Sequence, residues 1–264
     1  MIASLPMYLA DPSAVVDLWH GLARHLRDAG LPDVPAELCW PDALPAHWLA
    51  PDLLLSQTCG LPLMTTLAGR VTLVGAYAYR APGCEGVWCR SQIVVRAADA
   101  AQQLEDLRGR RVACNSLDSQ SGYNSLRAAV APLCRDGRFF GERQLTGGHR
   151  ASVLAVRDGL ADVAAIDAVT LAGLRRHQPE TTQGLRVLAQ TARYPALPLI
   201  CASPCDAGRL ARLRTALAAT VTDDALADAR DRLFIAGFQV LSLDDYDLCL
   251  TMAQQARDQG CDAL

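Results

Sequence analysis

The chain has 264 residues, 51% of them hydrophobic and 20% charged, with a formal net charge of −3. That is enough length for one large domain or two small ones with sizeable cores. Acidic and basic residues are mixed throughout, which excludes a general nucleic-acid binder with a basic face, and no apolar run approaches the roughly 18 residues of a membrane helix, which excludes membrane insertion. In chain order, Ile2–Tyr8 reads as a strand that begins at once. It shows no basic n-region, apolar h-region or cleavage site, so the expectation is a cytoplasmic chain or one whose signal has been removed. Asp11–Pro12 opens a helix with proline at its first position. Val15, Val16, Leu18, Trp19, Leu22 and Leu26 form its apolar face, and Gly30 stops it. Ala36–Trp40 reads as a short strand, and Pro41–Pro51 as a connection with one helical turn around His47–Leu49. Asp52–Ser56 is a buried strand ending in Gln57-Thr58-Cys59-Gly60, followed by a helix over Leu61–Ala68. This is the β-α-β-(α)-β-α order of a doubly wound sheet.

Val71–Tyr79 is rich in β-branched and aromatic residues and should be a strand, as should Val87–Arg96 beyond the Pro82-Gly83 turn. The polar run Ala97–Gln103 marks the first crossing into a second domain. After a short helix at Leu104–Gly109 come a buried strand, Arg111–Asn115, and the turn Ser119-Gln120-Ser121-Gly122. That turn opens a helix carrying Leu126, Ala129, Val130 and Leu133 on one face. A helix start rich in hydroxyls and glycine can satisfy its free N–H groups with an anion. These residues are therefore a candidate oxyanion site, with a plain serine N-cap as the alternative. Phe139–Leu145 reads as a strand, and Gly147-Gly148-His149-Arg150-Ala151-Ser152 as a glycine-rich turn opening another helix that ends at Gly159. Asp167 closes the buried strand Ala161–Ile166, just before a helix over Ala168–Arg176. In open α/β sheets ligands bind outside the carboxyl ends of strands, and three of these signals fall there. Leu185–Thr191 is a further strand, and the Pro195–Pro198 turn leads to Leu199–Ser203, the second crossing. The remainder reads as helical, over Asp206–Thr220, Asp223–Asp231 and Leu243–Gln259.

The ten cysteines are scattered, with Cys84–Cys89 and Cys201–Cys205 the only close pairs. Neither pair has a His or Cys partner at zinc spacing, so no metal site and no cofactor is expected. Cys84 and Cys89 would close a loop in an oxidising compartment; free thiols in a reducing cytosol are the simpler reading.

Five stretches together resemble the phosphate/phosphonate-type substrate-binding proteins of ABC transporters, a two-lobed branch of the periplasmic-binding-protein superfamily. They are LLLSQTCGLPL (Leu53–Leu63), LRGRRVACNSLDSQSGYNSLR (Leu107–Arg127), GGHRASVLAVRDGLADVAAIDAVT (Gly147–Thr170), LRVLAQTARYPALPLI (Leu185–Ile200) and the opening LPMY. The resemblance implies an α/β fold of two doubly wound lobes joined by two crossing strands, with a ligand cleft between them. The first lobe would be residues 1–96 plus 199–264 and the second 97–198. It implies a binding protein, which captures a small tetrahedral oxyanion by hinge closure for uptake or sensing; the sequence shows no G-x-S-x-G elbow, H-E-x-x-H or C-x-x-C motif, which argues against an enzyme. Its partners would be that oxyanion and an ABC permease or sensor protein. Carried over by position, Ser119, Gln120, Ser121 and Gly122 match the anion-binding turn, and His149 and Ser152 the second turn. Asp167 matches an acidic position that meets an ammonium or hydroxyl on the ligand, and Tyr8, Gln57 and Thr58 sit where the first lobe would close. A His149 facing an anion would favour its cationic form.

Each assignment has a structural alternative. Ser152, Asp167 and Gln57-Thr58 would serve equally as helix caps, His149 as a capping histidine on a helix surface, and Tyr8 as core at a strand end. Secreted members of the family carry a signal peptide or lipobox, and neither is seen in this sequence. The expected location is therefore periplasmic by resemblance, with the cytoplasm as the alternative. A cytoplasmic enzyme on the same fold, of the kind that makes cofactor or vitamin precursors, is the second functional reading. Its nucleophile would be Cys59, at a helix start that lowers a thiol pKa, with His149 as base.

Overall fold

The computed structural model describes residues 1–264. The chain divides into two α/β units. The first comprises residues 1–80, 85–88 and 195–245; the second comprises 81–84, 89–194 and 246–264.

The first unit is built on a five-stranded sheet ordered Ile2–Ala3, Leu53–Gln57, Pro198–Ala202, Val71–Tyr79, Ile235–Gln239. Only the first pair is parallel; the other three are antiparallel. Asp11 caps the Pro12–Asp28 helix by accepting from the Ala14 N–H, and Gly30 takes the left-handed conformation (φ +78°) beyond the helix end. The face this helix buries carries Leu18, Trp19, Leu22 and Leu26, the positions that the 3.6-residue period selects. It packs on the Ala207–Thr222 helix, which Asp206 caps through the Arg209 N–H. A buried hydroxyl pair, Tyr77 OH and Thr220 Oγ1 at 3.1 Å, ties that helix to the sheet.

The second unit has its own five-stranded sheet, ordered Leu185–Gln190, Ser91–Arg96, Val163–Asp167, Arg111–Cys114, Glu142–Leu145. Three adjacent strands, Val163–Asp167, Arg111–Cys114 and Glu142–Leu145, run parallel. Their carboxyl ends therefore lie along one edge. The core below them joins Ile93, Val112, Leu126 and Val163 to Ala256, Cys261 and Leu264 from the end of the chain. Asp162 braces the opposite ends of two strands: it accepts from Arg111 Nε, Nη2 and backbone N–H and from Arg96 Nη2. The Arg111 hydrogen bonds hold this carboxyl well below the usual carboxylate range, against its burial.

Several expectations change. The chain passes between units at 80/81 and 194/195 as well as around 85–88, rather than near 96 and 198, because Ser91–Arg96 pairs with Val163–Asp167 and Leu185–Gln190 in the second sheet. The C-terminal helix, Leu243–Asp258, carries the chain from the first unit into the second, where the sequence places the whole tail in the first. The segment read as wholly helical contains a strand, Ile235–Gln239, antiparallel to Val71–Tyr79. Ala36–Trp40 forms no strand; the Cys39 N–H donates to the Ala3 carbonyl (2.9 Å) and the Ala36 carbonyl accepts from Trp19 Nε1 (3.1 Å), with no ladder between them. Cys134 and Cys261, 127 residues apart, are disulfide-bonded, a pair named by neither the simpler reading of free thiols nor the Cys84–Cys89 alternative. No local spacing signals a pair so far apart in the chain.

Candidate functional site

The second unit brings its site residues to the edge where its three parallel strands end. After Arg111–Cys114 the chain turns through Asn115–Ser119 and enters a π-helical turn, Gln120–Asn124, that leads into the Ser125–Val130 helix. The turn is wider than an α-turn by one residue: the Ser125 N–H donates to the Gln120 carbonyl five positions back. Ser119 is its N-cap, with Oγ accepting from the Gly122 N–H at 2.9 Å. The capping alternative is thus realised at Ser119. Gly122 is required by close approach: a Cβ there would lie 2.3 Å from Asn115 Oδ1.

The neighbouring strand, Glu142–Leu145, ends in Thr146-Gly147-Gly148, and the His149–Arg157 helix follows. Backbone bonds from Thr146 N–H to Cys114 O and from Gly147 N–H to Asn115 O, each 2.9 Å, hold the two loops side by side. Side chains then join them. Ser121 Oγ and His149 Nε2 lie 2.7 Å apart, and Thr146 Oγ1 and Ser152 Oγ 2.6 Å apart. Ser121 and Ser152 are buried, at 4% and 0% exposure. His149 keeps part of its surface in solvent, yet its Nδ1 is buried and has no partner at hydrogen-bonding geometry. Burial lowers its pKa to about 3, with the Ala165 backbone opposing part of the shift. In the structure as it stands the ring is neutral, in contrast to the cationic form expected beside an anion.

Asp167 ends the third parallel strand and caps the Ala168–His177 helix, its Oδ1 accepting from the Val169 and Thr170 N–H groups at 2.9 and 3.0 Å. Here too the capping alternative is realised, by one carboxylate oxygen. Gln120 points away from the edge. Its Oε1 accepts from Asn124 Nδ2 (2.7 Å) and its Nε2 donates to Met252 Sδ (3.3 Å), so its side chain anchors the C-terminal helix.

Residues that the sequence reading missed support the turn from behind. Ser91 Oγ and Ser125 Oγ both donate to the Ser121 carbonyl, at 2.7 and 2.9 Å. Ser91 Oγ also lies 2.6 Å from Tyr194 OH. This buried network fixes the backbone that carries the Ser121 hydroxyl. Isolated serines at a strand start and a helix start give no pattern to find them by; pairing across the sheet reveals them.

In the first unit, Thr58 follows the Leu53–Gln57 strand and its N–H donates to the Pro198 carbonyl (3.0 Å). The residue is fully buried, and its Oγ1 has no hydrogen-bond partner. Such an orphan is uncommon and calls for an explanation. The Gln57 carbonyl accepts from Trp48 Nε1 (2.9 Å). Tyr8 stacks edge-on against Tyr79 (centroids 5.3 Å, 81°), and both rings line a cavity of about 20 Å³ with Gln57 and Tyr77. Cys59 is buried ahead of a five-residue helix, Gly60–Met64.

A family model described as ABC transporter, phosphonate, periplasmic substrate-binding protein matches residues 79–246. No curated protein matches the chain in sequence. Among solved structures, PhnD1 of Prochlorococcus marinus in complex with methylphosphonate is 13% identical, with 97% of this chain and 98% of that chain covered and a TM-score of 0.77. A binding protein component of an ABC phosphonate transporter from Pseudomonas aeruginosa is 15% identical over 98% of this chain and 87% of its own, with a TM-score of 0.76. A Xanthomonas citri protein bound to ATP is 16% identical over 98% and 97%, with a TM-score of 0.71. At these identities the structures share the fold.

Proposed function

Because the chain belongs to the family of phosphonate ABC-transporter periplasmic substrate-binding proteins, we propose that it captures a small tetrahedral oxyanion of the phosphate, phosphonate or phosphite class and presents it to an ABC permease or a sensor protein. The observation that carries the ligand class is the Ser121–His149 pair at the start of the His149–Arg157 helix. A buried hydroxyl, an imidazole and the free N–H groups of a nine-residue helix are donors that converge where the parallel strands end. Ser119, Ser121, the backbone of Gln120, His149 and Ser152 form the anion-binding set in this proposal, and Gly122, whose N–H stays on Ser119 Oγ, lets the turn approach Asn115. Tyr8, Gln57 and Thr58 of the first unit join it by resemblance, and the orphaned Thr58 hydroxyl supports that part. Asp167 addresses an ammonium or hydroxyl at the ligand's far end. An anion beside His149 stabilises the ring's cationic form, so binding takes up a proton. The proposed compartment is the periplasm, and the Cys134–Cys261 bond supports an oxidising one.

The test is a thermal-shift panel of phosphate, phosphite, methylphosphonate, 2-aminoethylphosphonate and sulfate. A ligand at about a hundred times its dissociation constant adds close to 2.7 kcal/mol. That moves the melting point by about 5–10 °C in a protein of this size. A shift with one phosphorus oxyanion, reproduced by calorimetry, supports the reading. Melting curves that ignore every oxyanion would overturn it.

A further inference from the structure

Eight of the ten cysteines are free thiols in the structure, and two of these face each other. Cys84 and Cys89 bring their sulfurs to 2.9 Å. The backbone holds them in register from both sides: the Cys84 N–H donates to the Ala81 carbonyl (2.8 Å) and the Arg90 N–H to the Gly83 carbonyl (2.9 Å). A disulfide bond is about 2.05 Å long, so closing it needs an approach of less than about 1 Å. Cys84 is half-buried and Cys89 fully buried.

We propose that Cys84 and Cys89 are a redox modification site that closes to a second disulfide, bridging the excursion Glu85–Trp88. The reaction is thiol–disulfide exchange with a small or protein disulfide as co-reactant. The Cys84 sulfur, the more accessible of the two, loses its proton and attacks the co-reactant disulfide, releasing one thiolate. Cys89 then loses its proton and attacks the Cys84 sulfur, releasing the second. Two protein thiols are oxidised and one external disulfide is reduced to two thiols. The Cys84 hydrogen bond, burial and the Asp167 charge all raise the Cys89 thiol, which suits it to the second step and not the first.

The bond would fix more than its own turn. Two residues after Cys89, Ser91 sits opposite Asp167 in the sheet and donates to the Ser121 carbonyl. Gly83, before Cys84, lies against Gln92 and Ala168, where a Cβ would meet Gln92 Nε2 at 2.1 Å and Ala168 Cβ at 3.2 Å. The pair therefore ties the chain at the base of the second unit's site edge. The proposal rests on sulfur geometry and stands apart from the choice of ligand.

The full-length protein would be equilibrated in oxidised and reduced glutathione at stepped ratios, quenched by alkylation and digested with trypsin. Cleavage at Arg80 and Arg90 isolates both thiols on one peptide, Ala81–Arg90. The expected result is that peptide unalkylated and lighter by two hydrogens in oxidising buffer, and doubly alkylated in reducing buffer. The Cys134–Cys261 bridge serves as internal reference. A Cys84→Ser variant should leave Cys89 on a singly alkylated or glutathionylated peptide. Double alkylation of the wild-type peptide at every ratio, with the reference bridge intact, overturns the proposal. So does oxidation of Cys89 to a different cysteine.

Discussion

Replacing Ser121 with alanine tests the donor pair most directly. Ser121 is 4% exposed and its hydroxyl lies 2.7 Å from His149 Nε2, while His149 Nδ1 already lacks a partner at hydrogen-bonding geometry. Truncation takes away the Nε2 partner as well. A buried polar group left without its partner costs about 1–3 kcal/mol. At about 2–4 °C per kcal/mol for a protein of this length, the melting point should fall by about 2–12 °C. Affinity for the oxyanion found in the panel should fall independently, because the hydroxyl also donates to the ligand. A loss of about 1–3 kcal/mol there is about 5- to 150-fold in dissociation constant, at 1.4 kcal/mol per tenfold. Thermal melting and titration calorimetry on Ser121→Ala, His149→Ala and the double variant separate the two effects, and the double-mutant cycle reports their coupling. Additive losses, or a Ser121→Ala protein with wild-type melting point and affinity, would refute the argument that this pair is the anion's donor set.

Three other substitutions have expected outcomes. Gly122→Ala places a methyl 2.3 Å from Asn115 Oδ1, so the Asn115 side chain or the turn must shift; overpacking of this kind costs about 1–3 kcal/mol, read by urea denaturation, and oxyanion affinity should fall with it. Burial holds the folded-state pKa of His149 at about 3, below its ordinary 6.5. The neutral ring is the folded form, so its contribution to stability is complete above about pH 6.5 and is lost as the pH falls from there toward 3. A His149→Gln variant should flatten that part of the stability–pH curve, and an unchanged curve would remove His149 as its origin. Cys134→Ser opens a bridge between residues 127 apart. The expected loss is about 2–4 kcal/mol, measured by chemical denaturation against the oxidised wild type.

Local patterns in the chain carried much of this protein. The first helix announces itself through Asp11-Pro12, an apolar period and Gly30, because caps and helical faces are properties of neighbours in sequence. The Val71–Tyr79 strand is legible in full for the same reason. The two turns, around Ser119–Gly122 and Gly147–Ser152, are also legible, since glycine and hydroxyl residues between a strand and a helix are a local signal. Which hydroxyl does what is decided elsewhere. Ser121 meets His149 and Ser152 meets Thr146 because two parallel strands place their loops side by side, and pairing of strands joins residues far apart in the chain. Gln120 shows the converse: the sequence offers it as a ligand residue, and the C-terminal helix takes its side chain. The Ile235–Gln239 strand, interrupted by Gly237, exists because Val71–Tyr79 offers an edge to pair with. The tail joins the second unit because Cys261 reaches Cys134, and its neighbour Leu264 enters that unit's core. Propensity acts over a few residues, whereas pairing, burial and disulfide closure act between segments that only the folded chain brings together.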